Sequence, residues 1–201
     1  MKHIIIALIF FSFFSSKAQT LIKSIYNDKP CPQFDTNCYE KDINHYFDNF
    51  VGEWKFENDN TTIIFKLKKE IQYQLDVNSN YTDLLVGEFL YIKDNVEIIN
   101  SLQDFDDINI EGYDHNISGG IFYHELPNNC IDNSPIQEKK VMLFINNPND
   151  ENIEGHIFLR YMIDNGIEKL QVCLRNKTYF ADNEDITFDI SNGYYEFIKQ
   201  D

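Results

Sequence analysis

Residues 153–175 read IEGHIFLRYMIDNGIEKLQVCLR, two runs of alternating apolar and polar residues on either side of Asn165-Gly166. Asn-Gly between such runs is the strongest short-range signal for a two-residue β-hairpin, because both residues accept the positive φ of a type I′ turn. A two-residue loop fixes the register. It sets Tyr161 opposite Leu170, Leu159 opposite Val172 and Ile157 opposite Leu174, all apolar and all on one face. The other face pairs Arg160 with Gln171 and His156 with Arg175 and turns to solvent. Phe158 and Cys173 fall together on that outer face, which predicts that a further segment covers them. The loop carrying Cys130 is the natural cover.

The same period of two runs through most of the chain from Phe50. Turn-forming clusters (ENDN, NSNYTD, KDN, DHN, NNPNDEN, DNG and SNG) separate stretches rich in Ile, Val, Phe, Tyr and Leu at intervals of about 8 to 12 residues. That spacing predicts an all-β domain, an antiparallel β-barrel or meander of about 8–10 strands. Two of the stretches are alike: FVGEWKFENDNTTIIFKL at 50–67 and LVGEFLYIKDNVEIINSL at 85–102 share Val, Gly, Glu, Asp, Asn, Ile, Ile and Leu without gaps. They read as two similar hairpins, each turning at Asp-Asn. In both, a glycine (Gly52, Gly87) inside an apolar strand marks a bulge or a close backbone crossing. Two copies are too few for a solenoid.

Before Phe50 the pattern differs. Tyr39, Ile43, Phe47 and Phe50 recur at steps of four, four and three, and Asn37 with Glu40 resembles a capping pair, so one short N-terminal helix is expected over 38–50. Residues 19–36, with Pro30 and Pro32, read as an extended arm. Residues 37–201 then form a single β-rich domain. Residues 1–18 carry Lys2, an apolar run of 11 residues from Ile4 to Phe14, and the small-x-small pair Ser16 and Ala18. This is the pattern of a secretory signal peptide cleaved near Ala18, too short for the ~20 residues of a membrane span. The expected destination is the periplasm or the exterior.

The chain has 33 acidic and 17 basic side chains, a net charge of −16. Removing Lys2 and Lys17 with the signal deepens it to −18. Such a surface repels phosphate backbones and anionic lipid headgroups, which excludes nucleic acid as a partner. The four cysteines lie in the exported part, where an even count favours disulfides. Proximity in sequence pairs Cys31 with Cys38 and Cys130 with Cys173. Neither pair has the C-x₂-C spacing of a structural zinc site.

No catalytic motif emerges. His124 opens HEL, but Asn128 stands where a zinc-protease helix needs its second histidine. ISGG at 117–120 lacks the flanking glycine of a nucleophile elbow. Asp104, Asp106 and Asp107 do not extend into a calcium loop, since Ile108 occupies a ligand position. Paired carboxylates for glycoside chemistry are numerous, and none is singled out. The residues supply no catalytic set, no metal site and no cofactor.

FVGEWKFEND, TIIFK, DLLVGEFLYIKDNVEIINSL, HNISG, LFINNP and GHIFLRYMIDNGIEKLQV, spanning about Phe50 to Arg175, resemble an uncharacterised family of small secreted Bacteroidetes proteins, a domain of unknown function. The resemblance implies export and one β-rich domain, and no activity. A second, local resemblance is to lipocalins (calycins), in which a short helix precedes a Gly-x-Trp strand that closes one end of an eight-stranded barrel. Gly52 and Trp54 match it, whereas the second Gly-x-aromatic step, Gly87 to Phe89, is outside that pattern. Together these readings predict a secreted, non-enzymatic β-barrel binding module for a small apolar ligand. Trp54 would sit at the closed end, with Phe56, Phe65, Phe89 and Tyr91 as candidate lining residues. The alternative is an envelope or extracellular protein–protein interaction module with a filled core, and a hydrolase is the third option.

Overall fold

The computed structural model describes residues 20–26, 29–32, 34–123, 130, 138–178 and 189–200, and of 151, 152, 177 and 178 the backbone only. The signal segment 1–18 and the HEL stretch at 124–126 lie outside the described residues.

Eleven strands form among them: β1 (Leu21–Ser24), β2 (Cys38–Lys41), β3 (Gly52–Glu57), β4 (Thr61–Gln74), β5 (Tyr81–Lys93), β6 (Val96–Asn100), β7 (Ile117–Tyr123), β8 (Lys140–Asn147), β9 (Asp150–Asp164), β10 (Ile167–Thr178) and β11 (Gly193–Lys199). Eight of them, β3, β4, β5, β7, β8, β9, β10 and β11, pair antiparallel in chain order, and β11 returns to β3, so the sheet closes into an up-and-down barrel. Closure gives each barrel strand a partner on both sides within the barrel.

The Asn165-Gly166 hairpin has the register that the alternation dictates. Tyr161 faces Leu170, Leu159 faces Val172 and Ile157 faces Leu174, with φ of 52° and 83° at the two turn residues. On the outer face Phe158 and Cys173 are buried with Met142 beneath Cys130. The sulfurs of Cys130 and Cys173 are at disulfide distance, with Cα atoms 5.8 Å apart. Those of Cys31 and Cys38 are likewise, at 5.9 Å between Cα atoms.

The repeated stretch explains the barrel wall. β3 and β5 run in the same direction on either side of β4, so the two copies come level with each other: Gly52–Leu67–Gly87, Trp54–Phe65–Phe89 and Phe56–Ile63–Tyr91 form three rows across the sheet. At Gly87 a Cβ would overlap the Lys66 carbonyl and lie 2.8 Å from Leu67 Cδ2, so the close strand crossing requires glycine. The copies diverge after the turn. A bulge between Tyr91 and Ile92 shifts β6 by one residue, which buries Ile99 and leaves Ile98 exposed.

The helix expected over 38–50 does not form. Cys38–Lys41 is strand β2, paired in parallel with β1 and with the start of β5, and only Tyr46–Asn49 makes a 3₁₀ turn. Two local causes override the 3.6-residue spacing. The Asp42 carboxylate accepts the N–H groups of Tyr46 (2.8 Å) and Phe47 (3.0 Å), starting a turn four residues late, and His45 at φ 57° breaks any helix through it. Tyr39, Phe47 and Phe50 are buried all the same, whereas Ile43 is exposed. Phe47 and Phe50 plug one end of the barrel, and Trp54 Nε1 donates to the Phe50 carbonyl at 2.8 Å, fastening the plug to β3.

Candidate ligand-binding cleft

At the plugged end the barrel wall forks. One edge of β5 is shared by three partners: β2 at Tyr81 and Thr82, β7 at Leu85–Gly87, and β6 from Leu90 to Lys93. Between the first two, β7 turns away at a bulge after Gly119. Gly120 makes that bend, with φ +156° and a position where a Cβ would come within 2.7 Å of Phe47 Cζ. The fork opens a cleft of about 470 Å³.

A buried acid holds the fork. Asp83 is 3 % exposed and receives three donors: the Tyr39 hydroxyl and the Gln72 N–H (3.0 Å) on Oδ1, and the Asp42 N–H (2.8 Å) on Oδ2. It thus joins β2, β5, the bulge in β4 and the plug segment. Burial and the neighbouring Asp83 carboxylate push the Tyr39 hydroxyl far above the ordinary tyrosine range, so it stays a donor. Asp42 is also buried, lies 3.6 Å from the Lys69 ammonium, and shares that lysine with Asp48. The Asp48 carboxyl is held below its usual range chiefly by the Lys69 hydrogen bond.

The cleft has two aromatic walls. On one side Tyr26 meets Phe122 edge-on at 4.9 Å and stacks on Tyr46 at 4.3 Å. On the other, Tyr73 and Tyr113 meet edge-on at 5.7 Å. Ser79, Asn80 and Thr82 supply polar groups, and Glu40 and Asp83 supply carboxylates. The Lys139 ammonium lies 4.1 Å over the Tyr26 ring and donates to the Tyr26 carbonyl at 2.6 Å. A smaller cavity of about 180 Å³ shares Tyr26, Phe122 and Lys139 and runs toward Phe50 and Tyr161. Desolvation is the main cause that pushes the hydroxyls of Tyr26, Tyr73 and Tyr113 upward, and they remain neutral donors at physiological pH.

A second polar cluster lies outside the barrel wall under the loop 101–116. His115 Nδ1 is 2.8 Å from Glu88 Oε1, and Asn116 donates to the same carboxylate from its backbone (3.3 Å) and its amide (2.7 Å). His115 and Glu88 are fully buried, and His115 Nε2 has no partner among the described residues. This sealed pair pins the loop to β5 and offers no access to a substrate. No group of three or more His, Cys, Asp or Glu among the described residues is placed to hold a metal ion.

The five aromatic residues singled out in sequence stand in the barrel interior. Trp54, Phe65 and Phe89 are at most 1 % exposed, Tyr91 is 4 % exposed, and Phe56 is half-buried. Phe65 stacks on Phe197 at 4.6 Å and meets Phe89 edge-on, while Phe56 packs edge-on against Tyr195 at 5.0 Å. None of the five lines the cleft. Sequence reasoning missed Tyr26, Tyr73, Asp83, Tyr113 and Phe122. One signal was present: Gly119-Gly120 inside an apolar run marks a bulge, and a bulge is where a barrel wall can part.

Comparison with known proteins adds one assignment. The model of a family described as "Family of unknown function (DUF6705)" matches residues 1–200. The chain belongs to this family. No curated protein and no solved structure matches it. For this DUF6705 member the family supplies no activity and no site residues.

Proposed function

We propose that the protein is a secreted, non-enzymatic binding module that holds a small ligand in the forked cleft rather than in the barrel interior. The observation that carries this reading is the contrast in packing. The interior aromatic residues fill one another's space, whereas Tyr26 with Phe122 and Tyr73 with Tyr113 line an open volume of about 470 Å³. That volume falls within the range of small-molecule sites. The lipocalin-like features support a carrier architecture: an eight-stranded up-and-down barrel, with a 3₁₀ turn ahead of the strand that carries Gly52 and Trp54. Export after cleavage near Ala18 is supported by two cysteine pairs at disulfide distance. No helix among the described residues is long and apolar enough to cross a membrane.

The test is a fragment screen by thermal shift on the oxidised chain and on Ile121→Trp. Ile121 lines the cleft and is 49 % exposed, so a larger ring there blocks the mouth without entering the core. Hits that raise the melting temperature of the chain and lose their effect in the variant support the cleft. Hits that persist undiminished in the variant overturn it.

A second reading, an interaction module of the envelope or exterior, draws on β1. Among the described residues this strand is the outermost of the sheet and pairs only with β2, and it exposes Leu21 and Ile22. An unpaired edge of that kind accepts an added strand. Recovery of a partner from periplasm or medium by the chain, lost on Ile22→Pro, is the expected result.

A further inference from the structure

We infer that the ligand of the forked cleft is an organic cation, a small ammonium-bearing molecule whose charged head is received between the Tyr73–Tyr113 wall and the carboxylates of Glu40 and Asp83. The inference rests on the cleft being the binding site and adds the chemistry of what enters it. Three observations carry it.

The walls are aromatic, and the face of an aromatic ring carries partial negative charge that attracts an ammonium group, most strongly where water is excluded. The molecule already shows this on the opposite wall, where the Lys139 ammonium lies 4.1 Å over the Tyr26 ring. The same kind of surface stands across the cleft in Tyr73 and Tyr113, whose rings meet edge-on and leave Tyr113 38 % exposed.

Charge is distributed unevenly around these walls. Glu40 and Asp83 line the cleft itself. Glu70, Glu111 and Asp114 surround the Tyr73 side, where Glu70 also accepts the Gly112 N–H at 2.7 Å. Burial first, and these carboxylates next, oppose ionisation of the Tyr73 hydroxyl, and Glu40 adds in the same direction to the burial of Tyr113, so negative charge is disfavoured on this side of the cleft. Lys139 is the one cationic side chain lining the cleft among the described residues, and its ammonium is held on the Tyr26 ring and carbonyl. With a net charge of −16, the whole chain adds to the same sign. Fatty acids and haem, both carboxylates, are disfavoured, although an apolar body alone would suit the rings.

Asp83 and Glu40 are fixed before any ligand arrives. Three donors hold Asp83, and Glu40 Oε1 accepts the Cys31 N–H at 2.5 Å. Binding to oriented carboxylates and rings loses little conformational freedom.

Isothermal titration of the oxidised chain with benzyltrimethylammonium, and with its uncharged carbon isostere neopentylbenzene, tests the inference. A polyol such as a disaccharide serves as the hydroxyl-rich control. The cation is expected to bind at least about tenfold more tightly than the isostere, and its affinity to fall as salt rises from about 0.05 to 0.5 M. Glu40→Gln keeps the acceptor for Cys31 and removes one charge, and it should weaken the cation several-fold while leaving the isostere unchanged. Tyr113→Leu should weaken the cation about fivefold or more. Equal binding of cation and isostere, both lost in Ile121→Trp, would overturn the cationic ligand while keeping the cleft. So would tighter binding of the disaccharide. If the cation binds with unchanged affinity to Ile121→Trp, the cleft itself is the wrong site and both readings fall.

Discussion

Phe65 and Tyr73 lie eight residues apart on one strand, β4, and end in regions of opposite character. Phe65 is 1 % exposed, stacked on Phe197 and level with Trp54 and Phe89 on the neighbouring strands. Tyr73 stands in the wall of an open cleft. The change follows from what flanks the strand. Pairing with β3 ends at Gly52–Leu67, and beyond the bulge between Glu70 and Tyr73 the strand pairs, among the described residues, only with β5. Inside the barrel a ring finds partners on every side and becomes core. Past its end the same residue type has an open flank and can receive something else. Aromatic content therefore says little about binding in a β-barrel until strand ends and bulges are placed.

Four substitutions break or sharpen that contrast. Trp54→Ala acts wholly on the interior: it removes a fully buried side chain and the hydrogen bond to Phe50, and should cost about 3–5 kcal/mol in denaturant unfolding. Asp83→Ala acts on the joint between the regions. It strands the Tyr39 hydroxyl and the Asp42 and Gln72 N–H groups without an acceptor, and a loss of about 2–4 kcal/mol is expected by the same measurement.

Tyr39→Phe is gentler, at about 1 kcal/mol near neutral pH, and has a signature in its pH dependence. The Tyr39 hydroxyl is raised in the folded state, by burial first and by Asp83 next, so the folded protein holds this proton more tightly than the unfolded chain. Its contribution is fully present below the unfolded value near 10 and is lost as pH rises beyond it. The alkaline fall in melting temperature should therefore be shallower in the variant than in the parent; an identical fall would show that Tyr39 is not held protonated by the fold. The smallest stability effect belongs to the cleft: Tyr113→Leu, at a partly exposed position, should change stability by less than about 0.5 kcal/mol. A cost as large as that of Trp54→Ala would make the cleft wall part of the core and remove the contrast.

Much of the barrel was legible in the sequence because period-two alternation and turn chemistry act locally. The Asn165-Gly166 register, the covered outer patch at Cys173 and a hairpin at each of the two glycine-bearing stretches all follow from such signals. The segment 38–50 was misread because helical spacing of Tyr39, Ile43, Phe47 and Phe50 also arises when a strand and a 3₁₀ turn happen to bury three of the four. What decided between them was the Asp42 carboxylate and strand pairing with Tyr81 and Thr82, some forty residues away. The cleft was illegible for the same reason. Its walls come from residues 26, 73, 113 and 122, brought together by the fork, and no local pattern links them.

The central claim is that ligand is received at the fork while the barrel interior stays closed. Trp54 is the only tryptophan, and its fully buried indole N–H, bonded to the Phe50 carbonyl, gives a single resonance from the barrel core. Titration of the ¹⁵N-labelled chain with benzyltrimethylammonium should shift the backbone resonances of Thr82, Tyr113 and Ile121 and leave the Trp54 indole N–H in place. A ligand-dependent shift of that indole resonance, with the three cleft residues unmoved, would contradict the account.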